Sequence, residues 1–191
     1  MQYTNLKKYG FTERFEQEAS FYEGLYPARV SEQHHYIYKV ISEDGELQAS
    51  VSGKLHYAAE GTMDFPAVGD WVMIDRVDRN SGNSVIRNIL KRKSFFARRA
   101  AGTKEDVQIV AANVDTIFIC MSLNTDFNLR RLERYLSIAW DSMASPVIVL
   151  TKADLCGDLE QKITEVSSVS SGADIIICSC AKEKGIDAVY P

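Results

Sequence analysis

Residues 146–154 read P-V-I-V-L-T-K-A-D, and this segment decides how the second half of the chain is expected to fold. The four branched apolar residues at positions 147–150 are typical of a short strand buried in a parallel sheet. Thr151, Lys152, Ala153 and Asp154 follow directly, where the chain leaves the carboxyl end of this predicted strand. Ligands bind at that edge of open α/β sheets, so these polar residues predict a binding loop.

A second segment, residues 174–187, repeats the pattern as D-I-I-I-C-S-C-A-K-E-K-G-I-D. Its apolar residues 175–178 predict another short strand, which ends at Ser179 and Cys180 before a polar turn that contains glycine. Residues 158–169 lie between the two segments and predict a crossover helix. Strand, helix and strand together make a βαβ unit of roughly 30 residues. Residues 105–191 are therefore predicted to form an α/β domain.

The earlier part of that domain shows two more apolar runs and one helical pattern. Residues 107–112 and 114–121 are apolar and rich in β-forming residues. Asn128 is placed to cap a helix that runs to about residue 143. The apolar residues that recur at helical spacing, and that we expect to face the core, are Leu129, Leu132, Leu136, Trp140 and Met143.

Residues 27–97 differ in character, because short strand candidates alternate with turn signals. The candidates are residues 28–41, 47–55, 68–77 and 84–90, with turns predicted at 43–45, 61–66 and 80–83. Gly69 lies at the start of one candidate, where it permits a close backbone approach. Four or five short antiparallel strands suit a small barrel, with the OB-fold as the best candidate and an SH3-like barrel as the alternative.

Residues 1–26 are predicted to be a helical lead-in to this barrel, with Thr12 as an N-cap. The side chains expected to pack it onto the barrel are Leu6, Phe11, Phe15, Phe21 and Leu25. Three parts are therefore predicted: the lead-in over 1–26, the barrel over 27–104 and the α/β domain over 105–191.

A basic run marks the end of the barrel. Residues 79–104 hold eight basic residues and no acidic one, although the whole chain has a net charge of −4. We expect this run to contact a polyanion, and RNA is the best candidate, because OB-folds bind nucleic acid in positive grooves. The candidate RNA-binding residues are Arg87, Lys91, Arg92, Lys93, Arg98 and Arg99. Phe95 and Phe96 are expected to be buried against the barrel rather than to stack on bases.

The composition of the chain argues against several classes of protein. A chain with 46% hydrophobic and 25% charged residues is ordinary for a soluble globular protein. No apolar run approaches the roughly 20 residues of a membrane span, so we expect a cytoplasmic protein.

The four cysteines form no C-x2-C pair and suggest neither zinc nor a disulfide framework; Cys120 and Cys178 are expected to be buried. His34, His35 and His56 are expected to be structural or solvated rather than metal ligands.

The loop at residues 151–154 resembles the base-recognition motif of GTPases, Asn-Lys-x-Asp, with Thr151 in place of the Asn. The resemblance implies that Asp154 accepts hydrogen bonds from guanine N1–H and from its exocyclic amino group, which adenine cannot match. It implies that Lys152 lies along the base and that Thr151 positions the loop. Ser179 and Cys180 resemble the second guanine loop, Ser-Ala, where a backbone N–H meets guanine O6.

A phosphate-binding loop, G-x4-G-K-[ST], is absent from this sequence. Among the eleven glycines only Gly53 precedes a lysine, and Leu55 follows where Ser or Thr is needed. A barrel followed by the two base-recognition motifs resembles the circularly permuted GTPases of the ribosome small subunit-dependent GTPase A family, RsgA, also called YjeQ or YloQ. The stretches that carry the resemblance are residues 65–72, 112–115, 126–128, 131–136, 146–155 and 179–187.

The resemblance implies an OB-fold followed by an incomplete GTPase domain, corresponding to the N-terminal portion of such a protein. It implies a GTP-hydrolysing factor that acts late in maturation of the small ribosomal subunit and contacts its rRNA. Implied cofactors are GTP or GDP with Mg²⁺, with zinc only in a C-terminal domain absent here; a monomer without membrane contact is expected. Without the phosphate loop, these 191 residues are expected to be inactive alone. Two alternatives stay open: a non-enzymatic OB-fold RNA-binding module, and an α/β domain for a small molecule unrelated to GTP.

Overall fold

The computed structural model describes residues 3–78, 82–99 and 107–189, without the side chains of Arg98, Arg99 and Val107. It divides the chain into two compact units, Met1–Asn113 and Val114–Pro191. Within the described residues, no helix is both long enough and apolar enough to cross a bilayer.

The first unit is built on a closed five-stranded barrel with the strand order β1-β2-β3-β5-β4. The antiparallel pairing of β1 with β4 closes the barrel, and β3 pairs with β5 in parallel. This is the OB-fold arrangement, as predicted. The helices and strands of this unit are α1 (Thr4–Lys8), α2 (Glu13–Ala19), β1 (Tyr26–His34), β2 (Ile37–Ser42), β3 (Gly45–Val51), α3 (Gly53–Ala58), β4 (Trp71–Ile74), β5 (Ser84–Ile89), β6 (Phe95–Arg99) and β7 (Val107–Ala112).

The predicted strand at residues 28–41 is wrong as a single element, because it is a hairpin of β1 and β2. His34 pairs with Ile37, so that His35 and Tyr36 form a two-residue loop. No glycine, asparagine or proline marks this turn in the sequence, and for that reason it was missed. The expected turn at residues 43–45 is confirmed by the pairing of Ser42 with Gly45. The predicted strand 47–55 is confirmed as β3 up to Val51, but its last residues begin helix α3, which Ser52 caps by accepting a hydrogen bond from the Leu55 amide at 3.2 Å.

The lead-in packs on the outside of the barrel through a separate apolar cluster. Leu6, Phe11 and Phe15 are buried with Trp71, and the rings of Phe11 and Trp71 lie 4.7 Å apart. Phe21 was expected in this cluster but is exposed, because it follows the end of α2 and points away from the helix face that packs. Thr12 occupies the N-cap position without a side-chain hydrogen bond.

Strands β6 and β7 form an antiparallel ribbon that belongs to the first unit. The first compact unit thus extends to Asn113 and includes this ribbon, and the domain bounds 27–104 and 105–191 stay a prediction from the sequence. The Ala112 amide donates to the Val68 carbonyl at 2.8 Å, and a Cβ on Gly69 would collide with the Ala112 carbonyl. Gly69 also has a φ of 90°, so the close approach predicted for this glycine is confirmed.

The second unit contains a parallel sheet with the strand order β10-β9-β8 and two helices. Its elements are β8 (Thr116–Ser122), α4 (Leu129–Asp141), β9 (Ser145–Thr151), α5 (Leu159–Val169) and β10 (Asp174–Ile177). The predicted βαβ unit is confirmed as β9-α5-β10. One face of the sheet packs on the helices through Ile119, Ile148 and Leu150, together with Leu132 and Val166.

The buried face of α4 differs in part from its prediction. Asn128 caps the helix by accepting a hydrogen bond from the Arg131 amide at 2.9 Å, as expected. Leu132 and Leu136 are buried, but Ala139 completes the face, whereas Trp140 and Met143 are exposed. Residues 139 and 140 both fit the helical spacing from Leu136, and the structure buries the smaller Ala139 instead of Trp140, while Met143 lies beyond the end of α4.

Candidate functional site

The two predicted loops meet at the carboxyl edge of the parallel sheet. Ile177 at the end of β10 is in register with Leu150 near the end of β9, so both strands release their loops at the same level. The Cys178 amide donates to the Leu150 carbonyl at 2.9 Å, and the Ala153 amide donates to the Cys178 carbonyl at 3.2 Å. These backbone bonds hold the loop after β9 against the loop after β10.

A side-chain hydrogen bond connects the same two loops, because the Ser179 hydroxyl donates to the Asp154 carboxylate. Ser179 is buried and its hydroxyl also accepts from the Lys182 amide at 3.3 Å, whereas Asp154 is exposed. One carboxylate oxygen is thus held by a buried partner, and the carboxylate as a whole faces solvent in a set orientation. Such a group is ready to accept hydrogen bonds from a ligand without first being ordered.

The second loop is tightly folded around a required glycine. Ser179 and Lys184 exchange two backbone hydrogen bonds, at 2.9 and 3.1 Å, which close the loop. Gly185 follows with a φ of 70°, and a Cβ at this position would collide with the Ile177 carbonyl. Only glycine fits here, so the glycine of this motif serves to place Ser179 and the residues after it.

A cavity of about 460 Å³ opens beside this hydrogen bond. Asp154 and Ser179 line it, together with Ala153, Leu159, Lys182 and Lys184. The two lysines were not selected from the sequence, although the K-E-K segment before Gly185 holds them. Thr151, Lys152 and Cys180 lie in the same loops but not in the lining of this cavity. Lys152 is exposed and has a φ of 57°, a conformation that turns the chain sharply after β9.

A third loop, which the sequence did not connect with this site, supports the first. The Leu123 amide at the end of β8 donates to the Thr151 carbonyl at 2.9 Å. Lys162 on α5 donates to the Leu123 carbonyl at 3.0 Å, lies 5.2 Å from the Phe127 ring centroid and is mostly buried. Lys162 therefore helps to position the loop after β8. The sequence does not reveal this contact, because the two residues are 39 positions apart in the chain.

Charges at this third loop are paired. Arg131 donates to the Asp126 side chain at 3.0 Å and to its carbonyl at 2.7 Å. The hydrogen bond and the charge of Arg131, with a further contribution from Lys152, hold the pKa of Asp126 below its usual value. Arg131 and Asp126 thus form an ion pair within this loop, at 2.9 Å.

The cysteines differ from one another in burial. Cys178 is buried, as expected, and burial raises the pKa of its thiol, with smaller contributions from Cys180 and Cys120. It therefore packs as a neutral apolar group. Cys120 was expected to be buried but is exposed, because it lies on the face of β8 opposite the helices.

Among the candidate RNA-binding residues, Arg92 has an internal partner. Its guanidinium contacts the fully buried Asp70 carboxylate at 2.7 Å and donates to the carbonyls of Met63 and Phe65 at 2.7 and 2.8 Å. Asp70 also accepts from the Ala67 amide at 2.8 Å. Although residues 79–104 hold no acidic residue, Arg92 therefore has an anionic partner within the first unit, 22 residues earlier in the chain.

The other candidates are more open to solvent. Arg87 is 3.6 Å from Asp75, and Lys91 and Lys93 are exposed. The backbones of Arg98 and Arg99 lie in β6, while their side chains, like all of Arg79 and Lys104, fall outside the described residues. Phe95, expected to be buried, is exposed in the same strand because only its backbone is covered by β7.

A family model described as RsgA GTPase matches residues 89–191. Small ribosomal subunit biogenesis GTPase RsgA 2 of Lactiplantibacillus plantarum is 49% identical over 187 residues, which are 98% of this chain and 52% of that protein. The RsgA of Methanosarcina acetivorans is 39% identical over 184 residues, covering 95% of this chain and 48% of that protein. This chain thus spans about half the length of the curated relatives it matches.

Two solved structures share the fold. YjeQ from Thermotoga maritima superposes with a TM-score of 0.67 at 23% identity, over 86% of this chain and 55% of that chain. YloQ, described as a circularly permuted GTPase, superposes with a TM-score of 0.63 at 19% identity, over 87% of this chain and 56% of that chain. The fold of an OB barrel followed by part of a permuted GTPase domain is thereby confirmed.

Proposed function

This chain belongs to the RsgA GTPase family, and on that premise we propose that it supplies the guanine-recognition loops and the RNA-binding barrel of a GTPase for small ribosomal subunit biogenesis. The observation that carries the proposal is the hydrogen bond between Ser179 and Asp154 beside an open cavity. It joins the two loops that a guanine base would have to contact at once.

Each loop has its own role in this proposal. Asp154 accepts the N1–H and the exocyclic amino group of guanine, because an ionised carboxylate accepts two parallel hydrogen bonds. Ser179 holds that carboxylate, and the backbone after it, at Cys180, meets guanine O6. Lys152 lies along the base with its stem, and Thr151 is tied to the third loop through the Leu123 amide.

The whole protein, which we infer to be about twice as long as this chain, binds GTP or GDP with Mg²⁺ and hydrolyses GTP. Its relatives carry names that refer to the small ribosomal subunit, so that this subunit and its rRNA are the proposed partners. We further propose a cytoplasmic monomer that carries zinc only in a domain outside this chain.

These 191 residues alone are expected to show no GTP turnover, because they contain no loop to hold the phosphates and no Ser or Thr to bind Mg²⁺ beside them. The whole protein is expected to hydrolyse GTP faster when small subunits are added. Phosphate release measured on both proteins, with and without subunits, checks this. Turnover by the short chain from a contaminant-free preparation would contradict the assignment of catalysis to the missing loop.

RNA contact by the barrel is tested best at Lys91 and Lys93, since reversing Arg92 would instead break its ion pair with Asp70. The Lys91→Glu/Lys93→Glu variant is expected to bind single-stranded RNA more weakly. The slope of log affinity against log salt is negative, and its magnitude should decrease by about 1–2, because each phosphate contact to a single strand contributes about 0.7 to that magnitude. Fluorescence anisotropy at several salt concentrations measures both quantities.

The matched control is Lys7→Glu/Lys8→Glu, which changes the net charge by the same amount on the exposed surface of α1. Equal losses in both variants would mean that only overall charge matters, and the contact assigned to Lys91 and Lys93 would be withdrawn.

A further inference from the structure

A cluster of aromatic rings lies on the barrel at the tip of the β1–β2 hairpin. Tyr36 at the tip of the β1–β2 hairpin is 73% exposed. Its ring centroid lies 6.3 Å from that of His56 on α3, and His56 in turn contacts Phe65 edge-on at 5.5 Å. Large exposed rings that gather in one place indicate a binding surface rather than a packing defect.

Two of these rings, those of Tyr36 and Phe65, belong to residues that border a cavity of about 290 Å³ in the first unit. Tyr36 and Phe65 form its aromatic sides, and the buried Tyr38 and Ile109 line it as well. Two amide side chains, Gln33 and Gln108, also line it. This volume is at the small end of ligand pockets, which begin at about 300 Å³, so it suits a single small ring system.

The hairpin tip is a tight turn that brings two side chains to the cavity. His35 has a φ of 49° at the first loop position, where two-residue hairpins usually place glycine, asparagine or aspartate. Histidine, like asparagine and aspartate, adopts this left-handed conformation more readily than most residues, so the turn forms without a glycine. Both loop residues, His35 and Tyr36, are among those that line the cavity.

The composition of the cavity selects among ligand classes. An apolar peptide side chain would cover Gln33 and Gln108 and leave their amide groups without partners, which is costly. A nucleobase instead offers a flat face to Tyr36 and Phe65 and an edge of hydrogen-bond donors and acceptors to the two amides.

Two carboxylates close to the cavity along the chain have partners within the first unit. Glu32 on the hairpin is paired with Lys39 and His34, each at 3.3 Å. Asp64, next to Phe65, accepts hydrogen bonds from two backbone amides of its own turn at 2.9 and 3.1 Å. Because these carboxylates are engaged, a single strand can approach this surface.

From these observations we propose that the cavity between the β1–β2 hairpin tip, Phe65 and β7 accepts one unpaired nucleobase of RNA, which stacks on Tyr36. The proposal rests on the proposed RNA-binding function of the barrel and adds a site that the basic residues do not form. It predicts that the barrel prefers single strands, because a paired base cannot leave its stack at low cost to enter the cavity.

The test is the Tyr36→Ala substitution, with binding followed by anisotropy of a fluorescein-labelled, uridine-rich single strand of about 12 nucleotides, which covers one OB barrel. Loss of one stacking contact is expected to weaken binding roughly five- to hundredfold. The salt slope should stay unchanged, because no phosphate contact is lost. Binding to a fully paired RNA duplex should be the same as for the unaltered chain.

Two variants make the result interpretable. Tyr36→Phe keeps the ring and is expected to bind RNA within about twofold of the unaltered chain. Tyr57→Ala removes a tyrosine from the same surface helix as His56; it is 94% exposed and does not line the cavity, so affinity should not change. Thermal unfolding of each variant checks that the barrel is intact.

The outcomes separate this site from the general RNA-binding proposal. Salt-dependent RNA binding that Tyr36→Ala leaves unchanged, or that Tyr57→Ala weakens equally, would overturn the nucleobase site while RNA contact through the basic residues stands. A shallower salt slope in Tyr36→Ala would overturn stacking as its role. Absence of binding by the unaltered chain at low salt would overturn both proposals.

Discussion

Replacing Asp154 with asparagine in the whole protein is expected to lower its affinity for GDP by about a hundredfold or more. The asparagine NH2 group cannot accept from the guanine amino group, and its carbonyl oxygen accepts from N1–H without a negative charge. One hydrogen bond is therefore lost and the other is weakened, and hydrogen bonds to a charged group contribute about 1.5–3 kcal/mol each. The asparagine amide instead donates to the carbonyl that xanthine carries in place of the guanine amino group. Xanthosine diphosphate should therefore bind the variant better than GDP does, which inverts the preference of the unaltered protein.

Competition of GDP, xanthosine diphosphate and ADP against a fluorescent guanine nucleotide measures this preference directly. Asp174→Asn is the matched control, because Asp174 is exposed at the opposite end of β10 and the substitution makes the same chemical change. If Asp154→Asn keeps guanine ahead of xanthine, the assignment of Asp154 to the base edge is wrong. Ser179→Ala should cause a smaller loss in the same direction, because it frees the carboxylate without removing it.

The second large effect concerns the stability of the barrel unit. Asp70→Ala is expected to lower its free energy of unfolding by about 3–5 kcal/mol, because Arg92 then keeps a largely buried charge without its counter-ion. The Ala67 amide loses its acceptor at the same time. Urea unfolding followed by the fluorescence of the buried Trp71 measures the change. All variants also carry Trp140→Phe, so that the second unit contributes no tryptophan fluorescence.

A double variant separates the ion pair from simple packing. Asp70→Leu combined with Arg92→Met removes both charges and is expected to recover most of the lost stability, since apolar replacements of buried pairs are often neutral. A double variant as unstable as Asp70→Ala would show that the hydrogen bonds to the loop carbonyls and to Ala67, and not the charge pair, hold this segment. Either result shows whether the charge of Arg92 or its hydrogen bonds hold this segment, and therefore which substitutions at Arg92 disturb the barrel in studies of RNA binding.

Local patterns were enough to predict most of the architecture. Apolar runs that end in polar loops identified β9, β10 and the helix between them, because a buried parallel strand needs a continuous apolar segment. Turn residues separated the strands of the barrel except at His35 and Tyr36, where no turn residue is present. Asp154 and Ser179 were selected for one site from motif resemblance, and the structure brings them into hydrogen-bond contact.

The sequence by itself determined a small β-barrel, the β9-α5-β10 unit and the two loops, because these depend on neighbours a few residues apart. Only the tertiary structure decided the OB-fold pairing of the strands, which charges find partners and which faces are covered. Arg92 after β5 meets Asp70 before β4, Lys162 meets the loop after β8, and the aromatic cavity joins Tyr36 to Phe65 and β7. The physical reason is that burial and ion pairing depend on distances in space, and the spacing of residues along the chain does not encode them.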